Sequence, residues 1–138
     1  MKPTLTGTLI TLLLALSGCA TTPAGLASKQ WNLHTINDEL LFGDSKITLK
    51  FDNDHQLSGN AGCNDYHADY HLDITSSTTG AIDVQPISTT KRQCDASIME
   101  QEKRYLDALN DAAIYWDKCG RLKIRGQEGE ILWFDKVK

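Results

Sequence analysis

The sequence predicts a mostly antiparallel β domain, curled on itself, with a single α-helix covering one opening. Three observations predict it. "DYHADYHLDIT" alternates strictly over nine residues, the period of a half-buried strand. One stretch, Ser97 to Asn110, repeats apolar residues at helical spacing. Three short strands, "AIYWD", "RLKIR" and "EILWFD", close the chain through the glycine-containing turns "KCG" and "GQEG".

The elements follow in order. "WNLHTI" alternates as a strand with Trp31 and Leu33 facing the core. "NDELLFGDS" carries turn chemistry at both ends. "KITLKFD" is the cleanest strand, with Ile47, Leu49 and Phe51 inward and Lys46, Thr48 and Lys50 outward. "QLSGNAGC" is a strand interrupted by glycines. In the long alternating segment, Tyr66, Ala68, Tyr70, Leu72 and Ile74 share one face; Asp65, His67, Asp69, His71 and Asp73 share the other. "AIDVQPIS" is a short strand, with Pro86 marking an edge or an end. Ser97 and Glu100 fit a capping box at the helix start. Ile98, Tyr105, Leu106 and Leu109 form the apolar stripe, with Glu102, Lys103 and Asp107 off it.

The first eighteen residues read as a targeting segment: one charge, Lys2, then the apolar run Leu9 to Cys19. That run is shorter than the roughly 20 apolar residues a spanning helix needs, and small residues precede its cysteine, as in a cleaved secretory signal. Leu16-Ser17-Gly18-Cys19 resembles the bacterial lipobox, which implies lipidation of Cys19 and attachment to a membrane through that anchor. Ala20, rather than Asp, in the next position points to the outer membrane, on its periplasmic face. Residues 19–28 are small and polar with a Pro and a Gly, a flexible tether. Residues 29–138 form one domain, since a mature chain of this size supports one core.

The formal charge of the whole chain is −4, and removing Lys2 with the signal lowers it by one. An acidic chain without a basic patch has no electrostatic case for nucleic acid. With Cys19 acylated, Cys63, Cys94 and Cys119 remain, so an oxidising compartment favours one disulfide and one thiol over.

The assembled pattern resembles the META domain, the fold of HslJ-type heat-shock lipoproteins. The residues that carry the resemblance are Trp31 and Leu33, "GNAGCNDYHADY", "STTKRQC", "EKRYLDAL", "GRLKI" and "ILWF". It covers residues 29–138. The resemblance implies an incomplete (cracked) antiparallel β-barrel of short strands with one helix. It also implies a monomer, no catalysis, and a role in envelope stress tolerance through binding. A similar cracked barrel occurs in type III secretion pilot lipoproteins, whose cavity takes lipid; that is an analogy of fold.

Each motif has a bland reading beside its functional one. A Cys63–Cys94 bond would close a loop of about 30 residues and contribute roughly 3–4 kcal/mol; inert buried thiols, or a redox thiol at Cys94 beside Lys91 and Arg92, are the alternatives. Cys119 could replace either partner. His67, Asp69, His71 and Asp73 are ligand types for Zn²⁺, but one flat strand converges poorly on an ion, so the row reads as solvated and no metal or other cofactor is expected. Gly62 and Asn64 read as a bend and a local turn cap. Trp31, Tyr66, Tyr70, Trp116 and Trp133 read as core or, in a cracked barrel, as the lining of a pocket for a lipid or other hydrophobic ligand, or for a segment of an envelope protein. A pilot-like module that docks a partner by its surface is the second reading. A cysteine-based redox protein or other enzyme is the third.

Overall fold

The structure is a computed structural model, and it describes residues 25–138. The signal segment 1–18, Cys19 and the tether residues up to Ala24 lie outside the described residues.

The strands are β1 (Gln30–Ile36), β2 (Glu39–Leu40), β3 (Thr48–Phe51), β4 (Gln56–Asn60), β5 (Asp65–Ile74), β6 (Thr79–Val84), β7 (Ser88–Thr89), β8 (Ala112–Lys118), β9 (Arg121–Gly126) and β10 (Ile131–Lys136). One helix, α1 (Ala96–Asn110), separates β7 from β8. The ladders run β10-β9-β8-β6-β5-β4-β3-β1, and β1 pairs with β10. The result is a closed eight-stranded antiparallel barrel with one helix, the mostly β architecture expected. Closure removes the sheet edges. The expected crack is reduced to a short seam: β6 and β8 pair only at Thr79–Ala81 against Trp116–Ile114.

Alternation builds the core. Trp31, Leu33, Ile47, Leu49, Phe51, Leu57, Tyr66, Ala68, Tyr70, Leu122, Ile124, Leu132 and Phe134 all face inward and are buried. Each fully buried large side chain contributes about 1.5–3 kcal/mol. In β5 the inward face ends early: Leu72 is half-buried and Ile74 is 52% exposed. The reason is register. β4 accompanies β5 only as far as Asp69, so the last residues of β5 extend past that ladder with β6 alone.

Local chemistry sets the turns. Asn37 and Asp38 adopt φ of 51° and 64°, and Cys119 and Gly120 adopt 56° and 75°. These are the left-handed pairs that tight hairpins need, and Asn, Asp and Gly tolerate them best. Gly59 serves a different purpose. A Cβ there would sit 1.9 Å from the Thr48 carbonyl oxygen, so only glycine lets β3 and β4 approach.

The two ends of the barrel are closed differently. At one end lie the start of β5, the start of β8 and the end of β9, and α1 seats Tyr105, Ala108 and Leu109 there, all buried. Tyr105 packs edge-on against Tyr66 and Phe134. Its hydroxyl lies 2.6 Å from that of Tyr66, which donates to the Thr48 carbonyl at 2.7 Å. Since Tyr66 has one proton, Tyr105 donates to Tyr66. Burial pushes the pKa of both phenols up. At the opposite end, Leu26 is fully buried and plugs the barrel. Lys29 pairs with Asp117, and Ser28 Oγ donates to Asn53 at 2.8 Å. The chain therefore enters the domain at the end away from α1.

Candidate functional site

The helix end is the most elaborated part of the molecule, and a polar staple holds it. Cys63 N–H and Asn64 N–H donate to Glu102 Oε2 at 2.9 and 2.7 Å, and Asn64 Nδ2 donates to Glu102 Oε1 at 2.7 Å. The Asn64 amide is used on both sides. Nδ2 also donates to the Arg92 carbonyl, while Oδ1 accepts from Thr90 Oγ1 at 2.8 Å and Arg92 N–H at 2.6 Å. Glu102 is 5% exposed and Asn64 3%. A carboxylate so placed is tolerable because hydrogen-bond donors surround it. Among the described residues it has no cationic partner. Beside the staple, Cys63 and Cys94 form a disulfide with Cα atoms 6.0 Å apart, tying the loop after β4 to the residue before the α1 cap.

Three features of this end differ from what the sequence predicts. Glu102 is on the buried stripe, not off it. The signal is in the sequence, because Ile98, Glu102, Tyr105 and Leu109 fall at i, i+4, i+7 and i+11, but residue type favours a solvent-facing place for a charged side chain. Asn64 is a long-range bridge, not a local cap; Asn60 Oδ1 is what satisfies Gly62 N–H, at 2.9 Å. The helix begins at Ala96 with Asp95 as its cap residue and no side-chain cap bond, so Ser97 and Glu100 form no capping box. The adjacent disulfide holds the chain as it enters the helix.

A groove of about 450 Å³ lies between the first half of α1 and the segment Glu39–Gly43. Its rim carries the most exposed large apolar side chains among the described residues, Leu40 at 75% and Phe42 at 59%. Gln101 forms its floor. Gln101 Oε1 accepts from Phe42 N–H at 2.5 Å, while its Nε2, buried, has no partner. A buried amide donor left unmade is costly. Arg104 closes one side and pairs with Glu39 at 2.8 Å. Sequence reasoning missed this groove. "LLF" is legible in the sequence as a short apolar run between two turns.

The five aromatics read as core or as a pocket lining do not converge on one cavity. Trp31, Tyr66 and Tyr70 lie inside the packed barrel at 0, 2 and 5% exposure. Trp116 and Trp133 lie half-buried on its outer surface. His67, Asp69, His71 and Asp73 are exposed on the outer face of β5, and Asp65 pairs with Arg92. Among the described residues no cluster of His, Cys, Asp and Glu could hold a metal ion. Cys94 is engaged with Cys63, and neither Cys119 nor any other described cysteine is free. The lipidation expected at Cys19 falls outside the described residues.

Comparison with known proteins places this geometry. The META domain family model matches residues 24–138. No curated protein matches the chain. Among solved structures, one similar fold is a protein from Burkholderia xenovorans determined by NMR, with a TM-score of 0.64 at 19% identity, covering 94% of this chain and 99% of that one. A second NMR structure gives 0.61 at 15% identity, over 78% of this chain and 89% of the other. A duf4847 family protein from Bacteroides vulgatus ATCC 8482 gives 0.55 at 13% identity, over 80% and 93%. Likeness at these identities concerns the fold alone.

Proposed function

The chain belongs to the META domain family, and from that premise we propose that it is a non-enzymatic envelope lipoprotein that docks an extended apolar segment of a partner protein in the groove beside α1. The observation that carries this reading is the groove between α1 and Glu39–Gly43, with Leu40 and Phe42 exposed on its rim. An apolar side chain of the partner would cover those two hydrophobics. Surface docking is better supported than an interior ligand pocket, because Trp31, Tyr66 and Tyr70 are sealed in the core.

The lipobox-like Cys19 supplies the anchor in this reading, on the periplasmic face of the outer membrane. Gly25 to Lys29 meet the barrel at the end opposite α1, which turns the groove away from the anchored end and toward the periplasm. Stress tolerance, implied by the family resemblance, would follow from holding an envelope partner.

Two measurements test the reading. Mass spectrometry of the mature protein from its own envelope is expected to find an N-terminal acylated Cys19; an unmodified N-terminus would remove the anchor. A random-peptide display selection on the domain is expected to enrich peptides with bulky apolar residues. Leu40→Asp with Phe42→Asp should abolish that enrichment while stability stays within about 0.5 kcal/mol, as for exposed positions. Enrichment that survives the double substitution, or none with the unaltered protein, overturns the docking site.

A further inference from the structure

The outer face of β8, β9 and β10 brings together residues that lie apart in sequence. Lys123 sits across from Trp116 on β8 and from Trp133 on β10. Its ammonium is 5.1 Å from the Trp116 ring centroid and 5.2 Å from that of Trp133, within cation–π range of both. All three side chains are half-buried, so they form a continuous band against the sheet. Arg121 and Arg125 stand two residues to either side on the same outward row, both exposed. Arg121 shares Asp135 at 3.3 Å with His34, which lies at 3.4 Å. Lys123 and Arg125 have no ion pair among the described residues. A shallow groove of about 340 Å³ continues from Trp133 past His34 and Arg121.

The placement of charge is as distinctive as the band. Residues 112–138 carry six Lys and Arg against four Asp and Glu, whereas residues 24–111 carry seven against fourteen. The exposed acidic row Asp65, Asp69 and Asp73 belongs to β5, across the ring from β10. An acidic protein thus gathers cations on one face of its barrel. No basic run betrays this in the sequence, because β9 interleaves its three cations with buried Leu122 and Ile124.

We propose that this face binds an anionic glycan, with sugar rings stacked on Trp116 and Trp133 and carboxylate or phosphate substituents held by Lys123 and Arg125. Indole faces offer broad apolar contact to the C–H face of a sugar. The two tryptophans are separated by two strand spacings, about 9.5 Å, close to the advance of two residues along an extended sugar chain. An anion on the linking sugar then falls over Lys123. That ammonium is already ordered and partly desolvated between two rings, which lowers the cost of fixing it on binding. An anionic membrane fits this face less well. Docking on lipid needs apolar groups that project from the surface, and the only exposed large apolar side chain of these three strands is Ile114.

The test titrates the full chain with a hyaluronan hexasaccharide, whose alternate sugars carry carboxylates, and reads tryptophan fluorescence and heat. Trp31 is fully buried, so a fluorescence change reports Trp116 and Trp133. Saturable binding is expected. It should weaken with added salt, as contacts to exposed charges are screened. It should also weaken about tenfold in Lys123→Gln and in Trp116→Ala or Trp133→Ala, as loss of one charged or stacking contact does. Lys123→Arg and Trp116→Phe should retain most of it and show that the fold is intact. Any of three results overturns the proposal. One is no saturable binding of the hexasaccharide. Another is equal binding of uncharged chitohexaose. The third is binding only to phosphatidylglycerol vesicles, which would assign the face to a membrane instead.

Discussion

Glu102→Ala is expected to destabilise the domain by roughly 3–5 kcal/mol. The substitution strands three N–H groups at once: those of Cys63 and Asn64 and one of the two on Asn64 Nδ2, which keeps its bond to the Arg92 carbonyl. Each buried donor left without an acceptor costs about 1–3 kcal/mol, reduced where the loop relaxes toward water. Asn64→Ala is expected to cost a similar amount, because that one amide also holds Thr90 and Arg92. The two substitutions share partners, so together they should cost clearly less than their sum. Urea unfolding followed by circular dichroism measures all three variants. A loss below about 1 kcal/mol for Glu102→Ala, the range of an ordinary net hydrogen bond, would mean the staple does not hold the helix.

Removing the disulfide is the other large effect. Cys63 and Cys94 are 31 residues apart in sequence. Freeing that loop in the unfolded chain should cost about 3–4 kcal/mol by the chain-entropy account. The loop encloses β5, β6 and β7, a large share of the barrel wall. Cys63→Ala with Cys94→Ala, or reductant on the unaltered protein, should lower the unfolding midpoint by the corresponding amount. Folded, unreduced protein should yield no alkylation of either cysteine. Alkylation of Cys63 under those conditions would contradict the bond. The effect should not add simply to that of Glu102→Ala, since the Cys63 N–H is itself a donor to Glu102.

Much of the barrel is legible in the sequence. Strict alternation in "KITLKF" and "DYHADY" gave the inward residues correctly, because a pleated strand has no other way to bury one face. Glycine-bearing turns located the last two hairpins. The misreadings share one cause. Glu102 and Asn64 are polar, and residue type alone places them off the buried stripe or in a local turn. Their burial depends on partners about 30 to 40 residues away, at Cys63 and Arg92.

The same division separates the two candidate surfaces from the fold. Amino-acid order by itself determined the β class, the single helix, the inward Trp31, Phe51, Tyr66 and Tyr70, and the lipobox-like start, since each follows from short-range periodicity or a contiguous motif. Only the tertiary structure decided that the barrel closes, that Cys63 meets Cys94, and that Trp116, Lys123 and Trp133 stack on its outside. It also decided that an unmet amide lies under Leu40 and Phe42. Those facts depend on which strand lies beside which, and so on contacts between residues far apart in sequence.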